Sequence, residues 1–339
     1  MTEPDLPNGR GPLSEAVLTA LRHPPGVGLE IAAPSADADA FGEDLQLALY
    51  VCYELHYRGF AQVDPGWEWD PDLLRLRAEL EAVFLRGLRA EVDTDCDVDA
   101  ALAPLLVEPL DGTGVSHHLL ERGDLDQFRE YVVHRSLYHL KEADPQAWLL
   151  PRLTGRAKAG MVAVEFDEYG GGRAERMHAH LFADLMRGLG LDPTYGHYLD
   201  RVPAPMLAVV DLMSLFGLHR QHRAMAVGQF AAIEIGSSPN SARLARALER
   251  LEVRDPACAF FYTEHVEADA VHEQLVRRDV LGAMTREEPS LERDVVFGIR
   301  AGELVEDRLA AHLLTAWEAG RSSLPAGPSG HASAAPVGP

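Results

Sequence analysis

Apolar residues recur at helical spacing through most of this 339-residue chain, and the strict alternation of half-buried strands is scarce. A chain patterned in this way buries its apolar stripes by packing helix on helix, so the expected class is all-α. The spacing predicts helices over residues 41–57, 71–90, 128–142 and 148–167. The third stops at Ala143-Asp144-Pro145, because proline disfavours helix in the residue before it. Gly170-Gly171-Gly172 interrupts the fourth, and helix resumes near Ala174 to run to Gly188 or Gly190. A long apolar helix is expected from Met206 to Ile235, ended by Gly236-Ser237-Ser238-Pro239. Residues 241–251, 260–280 and 294–319 complete the set.

Hydrophobic residues make up 47% of the chain, enough for one large core or two modest ones. The balance of 53 acidic and 31 basic residues, a formal net charge of −22, leaves no basic footprint for nucleic acid and no polybasic membrane patch. No apolar run approaches the roughly 20 residues that span a bilayer. The acidic, Pro- and Gly-rich start, MTEPDLPNGRGPLSEAV, is unlike a secretory signal, so a cytoplasmic protein is expected. Cys52, Cys96 and Cys258 form no CxxC pair, which argues against a disulfide framework or a zinc ribbon. Residues 1–40 read as mostly flexible, 41–114 as a helical extension, 115–320 as the main domain and 321–339 as a disordered tail. The acidic stretch EVDTDCDVD at 91–99 lacks the turn glycine and closing glutamate of a calcium loop and reads as a solvated loop.

The residues that carry chemistry lie in the second half. His265, Asp269 and His272 stand at i, i+4 and i+7, within about 60° of arc on one helix face. Two imidazoles and a carboxylate converging in this way can hold one metal or bridge two; a polar solvent-facing stripe is the plainer alternative. Glu175-Arg176-Met177-His178 is an ExxH pair, an arrangement that recurs among the ligands of di-iron helical bundles and also arises by chance. Glu142 closes the third predicted helix. Glu234 follows a strongly apolar run, where a charge normally needs a partner. Four carboxylates, Glu142, Glu175, Glu234 and Asp269, balance two Fe(II) ions, and three neutral imidazoles complete a cluster that can be buried without net charge. Mixed carboxylate and imidazole donors suit iron or manganese. His219 and His222, flanked by Arg220 and Arg223, read as a solvated basic face, and His134, His139 and His117-His118 rank below the cluster.

Four segments, YHLKEADP at 138–145, DEYGGGRAERMHAHLF at 167–182, EIGSSP at 234–239 and FYTEHVEADAVHE at 261–273, resemble the heme-oxygenase-like di-iron oxidases, also called iron-containing redox enzymes. The resemblance covers roughly residues 115–320 and implies a heme-oxygenase-like helical bundle, here with an N-terminal helical extension that either covers the site or forms a homodimer contact. It implies a non-heme di-iron cofactor, with O2 as co-substrate and Glu142, Glu175, His178, Glu234, His265, Asp269 and His272 as ligands. Some relatives carry a further carboxylate just upstream of the ExxH pair, and Glu168 fits that place. The reactions implied are diverse: N-oxygenation of guanidines and amines, oxidative decarboxylation of fatty acids, fragmentation of amino acids. The expectation is an O2-dependent oxidase or oxygenase acting on a small amine- or carboxylate-bearing metabolite, with an electron donor the sequence does not name. The alternatives are a non-catalytic helical ligand-binding protein and a heme-binding or heme-degrading enzyme of the same fold. An apolar chamber formed from residues 206–216, Phe230, Phe260, Phe261 and Tyr262 would hold the substrate, with Arg220 and Arg223 as candidate partners for a carboxylate.

Overall fold

The computed structural model describes residues 3–26, 31–35, 37–107 and 112–325. The chain is 71% helical, and no strand occurs among the described residues, so the class is all-α as the periodicity requires. In chain order the helices are α1 (Pro12–Leu21), α2 (Glu43–Glu54), α3 (Pro71–Glu91), α4 (Val98–Leu102), α5 (Val115–Glu121), α6 (Leu125–His139), α7 (Asp144–Ala147), α8 (Gly155–Glu168), α9 (His178–Gly188), α10 (Ala204–Leu218), α11 (Arg223–Arg250), α12 (Pro256–Leu275), α13 (Gly282–Glu287) and α14 (Glu292–Glu318). A π-helical turn, Val276–Leu281, joins α12 to α13. Among the described residues no helix is long and apolar enough to cross a membrane.

Local chemistry accounts for several boundaries. Asp70 and Asp255 accept bonds from the first-turn amides of α3 and α12, each followed by proline at the first helical position, and Asp124 and Gln127 form a capping box on α6. Other boundaries depart from the periodicity. The apolar run expected as one helix from Met206 to Ile235 is two, broken at His219, whose backbone is extended. There the Leu218 carbonyl accepts from Arg152, and His219 bonds Glu81 at 2.9 Å. Conversely, α11 runs on through Pro239 to Arg250 instead of stopping at Ile235. A proline inside a helix costs about 3 kcal/mol, and burial of Ile235, Leu244, Ala247 and Leu248 along α11 offsets it. Within the N-terminal segment expected to be mostly flexible, α1 buries Val17, Leu18 and Leu21 against α2. Of the tail, Ser323 is buried and bonded to Glu130 and His134, while residues 326–339 lie outside the described set.

Helix α11 is the spine of the bundle, packed along α12 on one side and α14 on another. The approach to α14 is so close that a Cβ on Gly228 would collide with the Val295 carbonyl, and one on Gly298 with the Met225 carbonyl. Helix α10 is buried nearly all round, with α2 on its outer side. This packing holds Glu234 of α11 against the face of α12 that bears His265, Asp269 and His272. Gly228→Ala and Gly298→Ala should each destabilise the fold by about 1–3 kcal/mol through overpacking. A thermal melt that moves by less than a degree in both would contradict the close backbone approach.

Candidate metal centre

Four helices and one turn deliver the cluster. His265, Asp269 and His272 share one face of α12, and all three side chains are buried. Glu234 of α11 reaches the same space, with Oε2 3.3 Å from His272 Nδ1. Glu168 is the last residue of α8 and His178 the first of α9. The chain reverses between them through Gly170, Gly171 and Gly172, all at positive φ, a conformation that side-chain-bearing residues rarely adopt. The reversal brings Glu168 Oε2 to 2.8 Å from His178 Nδ1. Glu142 does not close a helix as expected. Helix α6 ends at His139, and Glu142 sits in the following turn, its Oε2 2.9 Å from His139 Nδ1 and 3.8 Å from His265 Nε2.

These residues form two groups, Glu142–His178–His265 and Glu168–Asp269–His272, each offering ligand atoms that lie within 4.8 Å of one another. Glu168 links them: while Oε2 faces His178, Oε1 is 3.4 Å from His272 Nδ1. Glu175 does not join either group. It is exposed in a short 3-10 turn, and Met177, with ψ 134°, breaks the helix before His178. The expected side-by-side ExxH pairing on one helix therefore does not form, and the carboxylate beside His178 is Glu168.

The polar atoms facing this space meet only one another and form no aligned hydrogen bond. His178 Nδ1, His265 Nε2, His272 Nδ1, Glu234 Oε2 and Asp269 Oδ2 are buried and make no aligned hydrogen bond. An orphaned buried polar atom costs about 1–3 kcal/mol, so five in one pocket mark a place for a cation. The other ring nitrogens are engaged: His265 Nδ1 is 2.7 Å from the Phe261 carbonyl, and His272 Nε2 is 3.2 Å from Asp167 Oδ2. That pattern leaves the inward nitrogen of each ring as the one that would face an ion once its proton is displaced. The donor set therefore fits two hard-to-borderline ions such as Fe(II).

Charge reinforces the fit. Burial alone would lower the basicity of both α12 histidines. The Glu142 carboxylate, with Asp269 and Glu168, instead pushes His265 up to about 10, and Asp269 and Glu234 push His272 up to about 11. Burial opposes ionisation of Glu142, but His139 and His265 hold its carboxyl far below the usual range. Burial, with the charges of Asp269 and Glu168, raises Glu234 to about 8.

Sequence reasoning missed two neighbours, Glu165 and Asp167, and ranked a third, His139, below the cluster. Glu165, one helical turn before Glu168, is buried with both oxygens unpartnered, and burial, with Glu168 and Asp144, pushes it up to about 9. Its signal was present, a lone carboxylate in the apolar run Met161–Phe166. His139 and Asp167 orient Glu142 and His272, and only their proximity in space shows it. Beside the first group lies a cavity of about 410 Å³, whose lining includes Tyr138, His139, Phe261 and His265. Tyr262, Val209 and Met213 also line it, whereas Phe260 is exposed and Phe230 faces a different crevice. Arg220 and Arg223 line a separate cleft, where Arg223 pairs with Glu288, so neither reaches this cavity.

A family model of iron-containing redox enzymes matches residues 129–307, more than half of the chain. No curated protein matches the chain. The matched stretch opens within α6 and closes within α14, and so encloses both groups and Glu234.

A divalent cation must displace the protons that His265 and His272 hold at neutral pH in its absence. Loading should therefore release protons, and affinity should rise with pH between 6 and 8 by roughly tenfold per unit for each proton released. Anaerobic Mn(II) titrations at several pH values check this; an affinity flat with pH would contradict the protonated state.

Proposed function

We propose a di-iron, O2-dependent oxidase or oxygenase reading for this chain, which belongs to the iron-containing redox enzyme family and has its all-α, heme-oxygenase-like fold. The observation that carries the reading is the pair of buried ligand groups joined by Glu168, whose inward atoms face one another without an aligned hydrogen bond. Glu142, His178 and His265 would hold one iron, and Glu168, Asp269 and His272 the other, with Glu234 beside the second and Glu168 shared. The four carboxylates Glu142, Glu168, Glu234 and Asp269 offset the four positive charges of two Fe(II) ions, so Glu168 takes the place first given to Glu175. When bound, the two irons would supply the electrons that reduce O2 and activate it toward an organic substrate.

The chain's own residues do the rest. Asp167 and the Phe261 carbonyl orient the His272 and His265 rings. Tyr138, Phe182 and Phe261 pack around His139 and exclude water from the Glu142 side. The cavity beside His265 is of a size that takes a small metabolite. Its lining also includes Arg135, paired with Glu306 at 2.7 and 2.8 Å, together with Glu303 and Asp307, so an amine or a carboxylate meets a polar partner there. We place the protein in the cytoplasm, acting on a small molecule rather than on nucleic acid.

Anaerobic Fe(II) titration should end at two ions per chain, and admission of O2 should give a Mössbauer signature of a coupled ferric pair. His265→Ala and His272→Ala should each lose at least one ion. Retention of two ions by both variants would sink the reading. Screening O2 uptake by the loaded protein against amino acids, guanidines and mid-chain fatty acids should find stimulation in one of these classes; stimulation by a neutral hydrocarbon alone would overturn the substrate class and leave the iron assignment standing.

A further inference from the structure

Glu142 is the one proposed ligand that no helix holds. Its own amide is 3.5 Å from the His139 carbonyl, a long contact for a turn. The two residues before it are gripped from outside the family-matched segment. Arg58, just beyond α2, donates through Nη2 to the Leu140 carbonyl at 2.9 Å. Glu54, the last residue of α2, receives Lys141 Nζ on Oε2 at 3.0 Å and the Tyr195 hydroxyl on Oε1 at 2.6 Å. Both partners of the ion pair are almost fully buried, with side-chain exposures of 2% for Lys141 and 0% for Glu54. The ammonium lies 4.3 Å from the Tyr57 ring centre and 5.1 Å from that of Tyr50, and Arg58 stacks 4.0 Å over Tyr195.

A buried ion pair is a poor device for stability alone, since well-packed apolar residues of the same volume often serve better. It does impose one position on the two backbones that carry it. The grip falls on residues 140 and 141, and the next side chain is Glu142. We propose that Glu54 and Arg58 are positioning residues for Glu142, so that the N-terminal helical region sets occupancy of the Glu142–His178–His265 position without touching the metal. This rests on the di-metal reading above. The Glu168–Asp269–His272 position, built from α8 and α12, does not depend on the grip.

The test uses Mn(II) as the probe, with the full chain and three variants. Arg58→Met removes the bond to Leu140 at a half-buried side chain. The paired change Glu54→Gln with Lys141→Met removes both buried charges and leaves neither unbalanced. Arg58→Lys keeps a donor for the Leu140 carbonyl. Titration and electron paramagnetic resonance follow binding, and circular dichroism and a thermal melt follow the fold. Wild type should take up two ions that couple magnetically. In Arg58→Met and the paired variant, with helical content unchanged, the first ion should bind as in wild type. The second should bind about 10–100-fold more weakly, the usual effect of removing support from a ligand, and the signal of an isolated ion should persist. Arg58→Lys should recover part of the coupling. Unaltered second-ion binding in both variants would overturn the proposal, as would equal weakening of both ions or loss of helical content in Arg58→Met. A wild type that binds fewer than two ions removes the di-metal reading itself, and the proposal with it.

Discussion

Buried carboxylates and imidazoles that chiefly face one another set the terms for this fold. Glu142, Glu165, Glu168, Glu234 and Asp269 lie within one bundle beside His178, His265 and His272, all nearly inaccessible to solvent. Without a cation, the cluster compromises by sharing protons: two histidines become strongly basic, and Glu165 and Glu234 stay protonated well above the usual range. If two divalent ions bind as proposed, the same groups would ionise in the ordinary sense, metal and fold would be linked equilibria, and the stability of the bundle would track its loading.

The helices around this cluster are packed to hold it still. Gly228 and Gly298 let α11 and α14 meet backbone to backbone, and α12 lies along α11 over most of its length. Helix α12 then passes into the π-helical turn Val276–Leu281, which begins four residues after His272. Such turns are uncommon and are often found beside functional sites, because they shift the register of the side chains that follow. Here the turn packs on α8, the helix that ends in Glu168. The two helices that would supply the second metal position thus support one another beyond the ligands.

What could be read from sequence was what depends on periodicity and on isolated charges. The spacing of His265, Asp269 and His272 placed them on one face, and all three are buried on one face of α12. Glu234 stood out by the apolar residues before it and lies beside His272. What could not be read depends on backbone conformations that spacing does not encode. Glu168 and Glu175 are both carboxylates upstream of His178, and three left-handed glycines and an extended Met177 decide between them. Likewise, Pro239 and the apolar run before His219 obey tertiary packing over local propensity, so one predicted helix became two and two became one. The grip of α2 on Leu140 and Lys141 spans more than eighty residues of chain, and no local pattern announces a contact of that range.

The glycine turn between α8 and α9 has one more consequence. Glu168 and His178 touch, so the residues between them form a closed loop whose interior positions 171–176 are exposed. Its ends are carried by buried helices, the glycines set the reversal at its start, and lengthening its exposed part costs only about 0.6 kcal/mol per doubling. The exposed stretch 171–176 is therefore a place where this architecture can absorb inserted residues, or a grafted reporter group, beside the candidate metal centre.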